Sequence, residues 1–485
     1  MTQPQLPERL EGLRVYMVGI KGTGMAALAE ILVARGASVT GSDVPERFYT
    51  DAILERAGIS WFAGFDAANV ESGWSERPDL VIHSAAYDRS THPELLQAAA
   101  IDLPLLLYTE ALGQLSRQQP SVGIAGVHGK TTTTAFVAAI AQELGLPGTV
   151  LAGSALADLG GRATLVQGTE FFVAETCEYR RNFLSFSPRA IVITSVEADH
   201  LDYFRDAADI ESAFREYARR LDSGGTLVYC ADDRGASDVA RTLAGEREDV
   251  HLLPYGFTAD GPGRVEITGR GAGLLRASVS GVECELRVPG DHNAQNAAAA
   301  LLVARLVNEW SPSPVPAATF DTAAARAVTG FRGTRRRSEI VGEAGGITII
   351  DDYAHHPTAI ASTLSGFRDF YPGRRIVLSF MSHTYSRTLA LLDEFARALS
   401  AADVLVLHDI YASAREENPG GVDGEVLAVA AHRHSEQVHY VPGVADALPL
   451  LERILRPGDL FVTMGAGSNW QLGPLLLNSL KTEVR

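Results

Sequence analysis

The stretch VGIAGVHGKTTTTAFVAAIAQELG, residues 122–145, decides the fold class of this chain. It begins with a short apolar run, continues through a glycine-rich turn and ends in an Ala-rich segment closed by Gly145. A strand, a phosphate-type loop and a helix in this order predict a βα unit of a parallel sheet. The loop amides, the helix dipole, Lys130 and the Thr131 hydroxyl can together hold nucleotide phosphates and magnesium.

This loop departs from strict GxxxxGK spacing, because Ile124 stands where that pattern requires a glycine. A tight turn without a ligand is therefore the alternative interpretation. We favour ATP with Mg²⁺, since the strand leads directly into the GKT tripeptide and the helix. The residues predicted to contact the nucleotide are Gly126, His128, Gly129, Lys130, Thr131 and Thr132.

A second glycine-rich turn, GIKGTG (19–24), lies within a strand-turn-helix-strand pattern over residues 14–43. Together with Asp43 it resembles a dinucleotide fingerprint, in which backbone amides approach a pyrophosphate. Lys21 occupies the usual second glycine position, which favours another diphosphate ligand over a nicotinamide; a tight turn without a ligand is the third alternative. Lys21 and Lys130 are two of only three lysines, and a compact ammonium in such a turn suits a phosphate.

The chain has 485 residues, more than one hydrophobic core can hold, and apolar runs alternate with helical segments throughout. We therefore predict an α/β fold of three domains, residues 1–118, 119–328 and 329–485. The first boundary lies at the polar stretch 116–121, and the segment 250–290 is more β-rich. Further predicted strands are 79–85, 103–108, 170–175, 189–196, 226–233, 347–353, 375–380, 403–411 and 459–467.

The composition is that of a folded protein, with 46% hydrophobic and 21% charged residues. A net charge of −17 argues against a general nucleic-acid or anionic-membrane surface, so an anionic ligand needs local positive charge. The three cysteines lack CxxC spacing, which suggests neither a disulfide framework nor a zinc site. The polar N-terminus lacks a signal-peptide apolar run, and no segment approaches a membrane span. We expect a cytoplasmic protein that acts on small molecules, as a monomer or homodimer.

Polar side chains follow several predicted strands, at the edge where doubly wound sheets bind ligands. Glu175 ends EFFVAE, and His200 lies in EADHLD after the next strand. A carboxylate suits magnesium and a second ligand could complete the site. The alternatives are a strand-end cap or salt bridge for Glu175 and a loop or capping role for His200. Cys177 is interpreted as a small packing residue.

The C-terminal third holds two further polar stretches after strands, DDYAHHPT (351–358) and HTYSR (383–387). An aspartate of the first stretch could cap the following helix, or the stretch could belong to a site. His383 and Arg387 lie four residues apart, on one face if the segment is helical. Arg387 either binds a carboxylate through two parallel hydrogen bonds or is a solvated surface residue.

Taken together, these segments resemble the Mur ligase family of peptidoglycan synthesis, and the resemblance extends over essentially the whole chain. It implies an N-terminal Rossmann-like domain for a UDP-sugar, a central ATPase and a C-terminal Rossmann-like domain for the incoming amino acid. It is greatest with the branch that joins L-alanine to UDP-N-acetylmuramate through an acyl phosphate. The matching motifs, in family order, are GIKGTGMAALAEIL (19–32), GVHGKTTT (126–133), ETCEYRRNFL (175–184), EADHLDYF (197–204), PGDHNAQNAAAA (289–300), DDYAHHPT (351–358) and HTYSRT (383–388).

The resemblance also implies roles for individual residues. Lys130 and Thr131 would hold ATP and Mg²⁺, with Glu175 and His200 as further metal ligands. The implied catalytic residues are Lys130, His200, His355 and Arg387. The other implied contacts are His292, Asn293 and Asn296 at the adenine, Arg336 and Asp351 facing the nucleotide, His355, His383 and Arg387 near the amino acid, and Gly22, Thr23, Gly24, Asp43 and Ser84 at the uridine diphosphate.

Some positions differ from the family pattern on the substrate side, namely Ser338 and Met381–Ser382, and no lysine lies between Lys130 and Lys481. The carbamoylated lysine of some relatives is therefore not expected. The nearest alternative is a murein-tripeptide recycling ligase, which takes the same UDP-sugar. A dehydrogenase and a P-loop switch or motor are alternatives from other classes. The incomplete dinucleotide fingerprint disfavours the dehydrogenase, and two further substrate-type regions disfavour the switch.

Overall fold

The computed structural model describes residues 4–156, 161–198, 203–271, 273–412 and 420–483. Their strands and helices alternate along most of the chain and build three mainly parallel sheets and one small antiparallel sheet. This confirms the predicted α/β class. No helix among these residues is both long and apolar enough to cross a membrane.

The N-terminal region is a five-stranded parallel sheet in the order β3-β2-β1-β4-β5. This order is that of a doubly wound nucleotide-binding sheet, as the pattern over residues 14–43 predicts. The elements are β1 (Arg14–Val18), α1 (Thr23–Ala34), β2 (Ser38–Asp43), α2 (Asp51–Arg56), β3 (Trp61–Ala63), β4 (Leu80–His83), α3 (Pro93–Ala100), β5 (Leu105–Leu107) and α4 (Tyr108–Gln118).

The central region has a seven-stranded sheet, β12-β11-β10-β6-β9-β7-β8, in which β8 alone runs antiparallel, and a three-stranded antiparallel sheet, β13-β14-β15. The small sheet confirms the β-rich character expected for 250–290. The elements are β6 (Ser121–Ala125), α5 (Lys130–Leu144), β7 (Thr149–Leu156), β8 (Arg162–Val166), β9 (Phe172–Glu175), β10 (Ala190–Ile193), α6 (Ala207–Ala218), β11 (Thr226–Cys230), α7 (Arg234–Glu246), β12 (His251–Tyr255), β13 (Val265–Gly271), β14 (Leu274–Val279), β15 (Val282–Leu286), α8 (Asp291–Trp310) and α9 (Ala317–Gly330).

The C-terminal region is a six-stranded sheet, β16-β17-β21-β18-β19-β20, in which only the edge strand β16 is antiparallel. Its elements are β16 (Glu339–Ala344), β17 (Ile347–Asp352), α10 (Pro357–Phe370), β18 (Ile376–Met381), α11 (Tyr385–Ala390), α12 (Leu392–Leu399), β19 (Val404–Leu407), α13 (Gly424–Ala431), β20 (Val438–Tyr440), α14 (Leu448–Ile454), β21 (Leu460–Gly465) and α15 (Leu472–Glu483).

Helix α1 joins the N-terminal sheet to the central sheet. Leu28 of α1 and Phe172 of β9 belong to one continuous buried apolar cluster. Glu30, on the same helix, is buried, and its carboxylate accepts hydrogen bonds from the Ala163 amide (2.9 Å) and the Thr164 hydroxyl (3.2 Å) of β8. Burial raises the pKa of Glu30 above its usual value. The two regions therefore share a core and a buried polar contact.

A second joint lies between α4 and the 3-10 helix Tyr179–Ser185. A methyl group added at Gly113 of α4 would collide with the backbone carbonyl of Ser185. We expect Gly113→Ala to destabilise the protein by about 1–3 kcal/mol, because backbone on both sides leaves no room to repack. The measurement is the midpoint of thermal unfolding.

Gly245→Ala is the matched control, because Gly245 is also a helical glycine, in α7, but nothing lies within 4 Å of its added Cβ. There alanine should be neutral or stabilise the helix by up to about 1 kcal/mol. Equal unfolding midpoints for the two variants would contradict a tight joint at Gly113.

Candidate active site

The predicted phosphate loop follows β6 at the centre of its sheet, where the carboxyl ends of β9, β6 and β10 meet. Gly126 (φ 138°) and Gly129 (φ 80°) both have positive φ. A side chain at Gly126 would collide with Thr194, and one at Gly129 would come within 2.5 Å of Asn296 Oδ1. The His128 amide donates to Ser195 Oγ at 2.9 Å. The loop is therefore packed on backbone and side chains that leave room only for glycine.

Lys130 begins helix α5 and has an acidic partner that the sequence did not reveal. Its ammonium lies 3.0 Å from Glu178 Oε2 and also donates to the Gly126 carbonyl. Burial alone would lower the pKa of Lys130, but the charge and hydrogen bond of Glu178, together with the nearby Cys177 and Glu175, hold that pKa above its usual value. The amine is therefore charged and only partly exposed, and a bound phosphate would have to displace the Glu178 carboxylate from it.

The structure brings two of the three predicted metal ligands together. The Thr131 hydroxyl lies 3.0 Å from both carboxylate oxygens of Glu175, the last residue of β9. The Gly153 amide donates to the same carboxylate at 2.9 Å, which fixes its direction. A hydroxyl and an oriented carboxylate are ligands that Mg²⁺ accepts. The third predicted ligand, His200, lies outside the described residues.

A cavity of about 510 Å³ lies beside Thr131 and Glu175. Side chains and loops from all three regions line it. From the N-terminal region come four of the five residues predicted to hold the diphosphate, Gly22, Thr23, Gly24 and Ser84. From the C-terminal region come Arg335, Arg336 and Arg337, which supply positive charge on an acidic chain.

Asp43 and Lys21 do not line this cavity. Both are buried, and Asp43 accepts a hydrogen bond from the Lys21 amide at 2.7 Å, so it shapes the turn from beneath. The Lys21 ammonium donates to the carbonyls of Val44 (2.9 Å) and Glu46 (3.0 Å). The expectation that the Lys21 ammonium binds a phosphate is therefore wrong. The ammonium is buried and donates its hydrogen bonds to backbone carbonyls, so it does not face the cavity.

A smaller cavity of about 280 Å³ lies on the other side of the P-loop. Six residues predicted to contact the nucleotide line it: His128, Gly129, Thr132, His292, Asn293 and Asn296. Asn296 accepts from the Thr133 hydroxyl at 3.3 Å and donates to Asn293 at 3.1 Å, which connects α5 to the start of α8. Burial lowers the pKa of His292 below its usual value, so the ring is neutral at pH 7. The same ring shares a hydrogen bond with the Ser362 hydroxyl.

The remaining predicted nucleotide residues, Arg336 and Asp351, bind each other at 3.2 Å. Arg336 lines the larger cavity, whereas Asp351 lies buried beneath it. Burial raises the pKa of Asp351 to about 6, although the Arg336 guanidinium acts in the opposite direction. The neighbours one position further on, Arg337 and Asp352, both line the smaller cavity, and Arg337 lines the larger one as well.

The three residues predicted near the amino acid form a third group, in the C-terminal region. Arg387 Nη1 lies 3.1 Å from His383 Nδ1, and the rings of His383 and His355 are 5.7 Å apart. Helix α11 begins at Tyr385, so His383 precedes it and does not share a helical face with Arg387. Their contact comes from the turn at Thr384, which has a positive φ of 67°. Arg387 is buried, which excludes a solvated surface role.

Three family models match successive parts of the chain. The "Mur ligase family, catalytic domain" matches residues 14–120, the "Mur ligase middle domain" matches 124–304, and the "Mur ligase, glutamate ligase domain" matches 336–467. The chain belongs to the Mur ligase family. This confirms the family resemblance found in the sequence motifs.

Two curated Mur ligases are similar over almost their full length. The UDP-N-acetylmuramate–L-alanine ligase of Treponema pallidum (strain Nichols) is 47% identical over 486 residues, which cover all of both chains. The enzyme of the same name from Desulfitobacterium hafniense (strain Y51) is 39% identical and aligns with 96% of this chain and 99% of its own.

Solved Mur ligase structures share the whole fold. The UDP-N-acetylmuramate–alanine ligase of Thermotoga maritima has a TM-score of 0.75 at 25% identity and covers 97% of this chain and 100% of its own. A murein peptide ligase of Psychrobacter arcticus has a TM-score of 0.66 at 24% identity, with 97% and 99% covered. The latter likeness is one of fold alone.

Several residues of this Mur ligase site were missed by the sequence analysis. Asp232 lines the smaller cavity and accepts hydrogen bonds from the Phe257 and Thr258 amides (2.7 and 2.8 Å). Tyr108 lines the larger one, and so does Cys177, which corrects its interpretation as a packing residue. Asp232 follows β11 and Tyr108 follows β5, so position at a strand end could have identified both.

The two glycines that flank α5 allow the P-loop geometry to be tested. Gly129 (φ 80°) and Gly145 (φ 62°) both have left-handed backbones, but only Gly129 faces another residue closely. Alanine at either position should cost about 1–2 kcal/mol of backbone strain. Gly129→Ala should also displace Asn296 and raise the Kd for ATP by about tenfold or more, equivalent to about 1.4 kcal/mol.

Calorimetric titration with ATP measures this difference, and thermal unfolding measures the strain that both variants share. Gly145→Ala should bind ATP as the wild type does. If the two variants bind ATP equally well, the close packing at Gly129 does not shape the nucleotide site.

Proposed function

We propose that this chain joins L-alanine to the lactyl carboxylate of UDP-N-acetylmuramate in an ATP-dependent step of peptidoglycan precursor synthesis. One observation carries the proposal: the P-loop stands between two cavities, with Thr131 lining the larger and Gly129 and Thr132 lining the smaller. ATP in the smaller cavity would then direct its γ-phosphate toward a substrate in the larger one. The 47% identity to the Treponema pallidum ligase over its full length supports the choice of substrates.

The chemistry explains why both cavities are needed. A carboxylate is a poor acyl donor until it is phosphorylated, so we infer transfer of the γ-phosphoryl group to the substrate carboxylate, followed by attack of the alanine amine on the acyl phosphate. Two anions must approach each other in the first step. Lys130 and the loop amides can stabilise the charge that develops, once Lys130 exchanges Glu178 for phosphate oxygen.

We propose Thr131, Glu175 and His200 as the residues that hold Mg²⁺. The hydroxyl and the carboxylate already lie 3.0 Å apart beside the larger cavity, which fits a small cation with oxygen ligands. When bound, Mg²⁺ would neutralise phosphate charge. The described residues contribute by directing the Glu175 carboxylate through the Gly153 amide.

The amino acid would bind at the group formed by His355, His383 and Arg387. The amine must be neutral to attack, and His355 or His383 could accept its proton. Arg387 would bind the alanine carboxylate, for which a planar guanidinium is suited. This group lies in the C-terminal region and the P-loop in the central one, so we expect the two regions to move against each other as the substrates bind.

We further propose the domain boundaries 1–118, 119–328 and 329–485 and a cytoplasmic location. The free thiols Cys177, Cys230 and Cys284 suit a reducing compartment.

The function is tested by following phosphate release with ATP, Mg²⁺ and UDP-N-acetylmuramate while single amino acids are supplied. We expect release to require the UDP-sugar and to be fastest with L-alanine. Release with a murein tripeptide but not with L-alanine would instead assign the chain to the peptide-recycling ligases. Release without any acceptor would indicate a switch or motor.

Replacing Glu175 tests the magnesium proposal. Glu175→Gln keeps the shape but removes the negative charge, so the Mg²⁺ concentration for half-maximal activity should rise by about tenfold or more. The UDP-sugar KM should change little. Glu170→Gln is the control, because Glu170 lies shortly before the same strand but is exposed. An unchanged magnesium titration in Glu175→Gln would contradict the assignment.

Replacing Arg387 tests the amino-acid site. Arg387→Lys keeps the charge but cannot form two parallel hydrogen bonds, so kcat/KM for alanine should fall by about 10- to 150-fold, equivalent to about 1.5–3 kcal/mol. The affinities for ATP and the UDP-sugar should hardly move. Arg397→Lys, at an exposed position of α12, is the control. Full activity of Arg387→Lys would place the carboxylate at another cation.

A further inference from the structure

Three side chains of metal-binding type meet where the P-loop faces the C-terminal region. His128 belongs to the P-loop, Glu197 follows β10, and His356 precedes α10. One ligand atom of each lies within 4.8 Å of those of the other two. His128 Nε2 is 3.2 Å from Glu197 Oε1, and the two imidazole rings are 5.4 Å apart.

The surroundings hold these side chains in place. The second carboxylate oxygen of Glu197 accepts a hydrogen bond from the Thr358 hydroxyl at 3.0 Å. The His128 backbone is held by Ser195, and His356 is buried directly before Pro357, the first residue of α10. Orienting contacts of this kind around a ligand are what metal sites require. His128 and Glu197 keep 27% and 29% of their side chains exposed, which leaves an approach for a metal ion and water.

The ligand set distinguishes this cluster from the magnesium site. Two imidazole nitrogens and one carboxylate are the protein ligands of many zinc sites that keep a fourth position for water. Mg²⁺ prefers oxygen ligands, as at Thr131 and Glu175. A mixture of imidazole nitrogen and carboxylate oxygen suits transition metal ions such as zinc better than Mg²⁺.

We propose that His128, Glu197 and His356 form a binding site for a zinc-class transition metal ion, with water as a further ligand. Two of its ligands come from the central region and one from the C-terminal region. An ion bound there ties the P-loop to the start of α10. His128 and Thr358 also line the smaller cavity, so a bound ion would lie at its edge.

The experiment is a competition titration with a chromogenic zinc chelator, on full-length protein without nucleotide and with saturating Mg²⁺. The wild type should bind one Zn²⁺ per chain. Glu197→Gln and His356→Gln should each bind at least about tenfold more weakly, since losing a ligand costs no less than losing a residue that orients one. His292→Gln is the matched control, because His292 is a histidine of the same cavity that lies outside the cluster. It should bind Zn²⁺ as the wild type does.

Glu175→Gln separates this site from the magnesium site and should keep the zinc affinity. Thermal unfolding without metal checks that each variant is folded. If His356→Gln does not fold, the zinc affinity of Glu197→Gln alone tests the proposal. Cobalt provides a second readout, because Co²⁺ in a four-coordinate site of two histidines, a carboxylate and water absorbs visible light more strongly than Co²⁺ in an octahedral site of six oxygens. The proposal is overturned if the wild type binds no zinc, if Glu197→Gln binds like the wild type, or if only Glu175→Gln loses binding.

Discussion

The close packing of the P-loop against its own sheet is the constraint on which the rest of the site depends. Gly126 faces Thr194, and Gly129 faces Asn296, with no space for a side chain at either position. The loop is therefore held in one shape, with its amides at the N-terminus of α5. The same packing separates the two cavities, because Thr131 is directed to one and Thr132 to the other. If the loop were less tightly packed, the two cavities would merge, and the position of a phosphoryl group between them would not be fixed.

Charge is distributed so that the site attracts anions on a chain whose net charge is −17. Lys130 and Arg336 are partly exposed, and each pairs with a buried carboxylate, Glu178 and Asp351 respectively. In each pair the carboxylate fixes the position of the cation but also offsets its positive charge. An arriving phosphate or carboxylate must compete with a protein carboxylate, so affinity is reduced for ligands that cannot engage several groups at once. Selectivity for complete substrates follows from this competition.

Much of the fold could be predicted from local pattern, because a βα unit is defined by a strand, a turn and a helix adjacent in sequence. The unit at residues 122–145 was identified in this way, and strand-end position found Glu175. Contacts between distant segments could not be predicted. The sequence does not show that Glu178 pairs with Lys130, or that carbonyls near residue 45 hold Lys21. Such partners depend on the path of the chain in space, and spacing carries no information about it.

The family motifs filled part of this gap, since an ordered series of motifs carries information about tertiary arrangement that one motif does not. They brought His355, His383 and Arg387 into one hypothesis, and the structure shows these residues in contact. They did not indicate which of two adjacent residues lines the smaller cavity. At 336–337 and at 351–352 the second residue of each pair lines it. Asp351 and Asp352 are adjacent in β17, where successive side chains point to opposite faces, so motif matching is least informative there.

The carboxylate of Glu30 has a consequence for protein engineering. It comes from the N-terminal region but is satisfied by the Ala163 amide and the Thr164 hydroxyl of the central one. In a chimera that takes its N-terminal region from a relative, this junction could contain a buried Glu30 carboxylate without hydrogen-bond donors. It could equally contain the Ala163 and Thr164 donors without an acceptor. A transplanted N-terminal region should therefore be exchanged with both α1 and β8, so the exchangeable unit is larger than the N-terminal sheet.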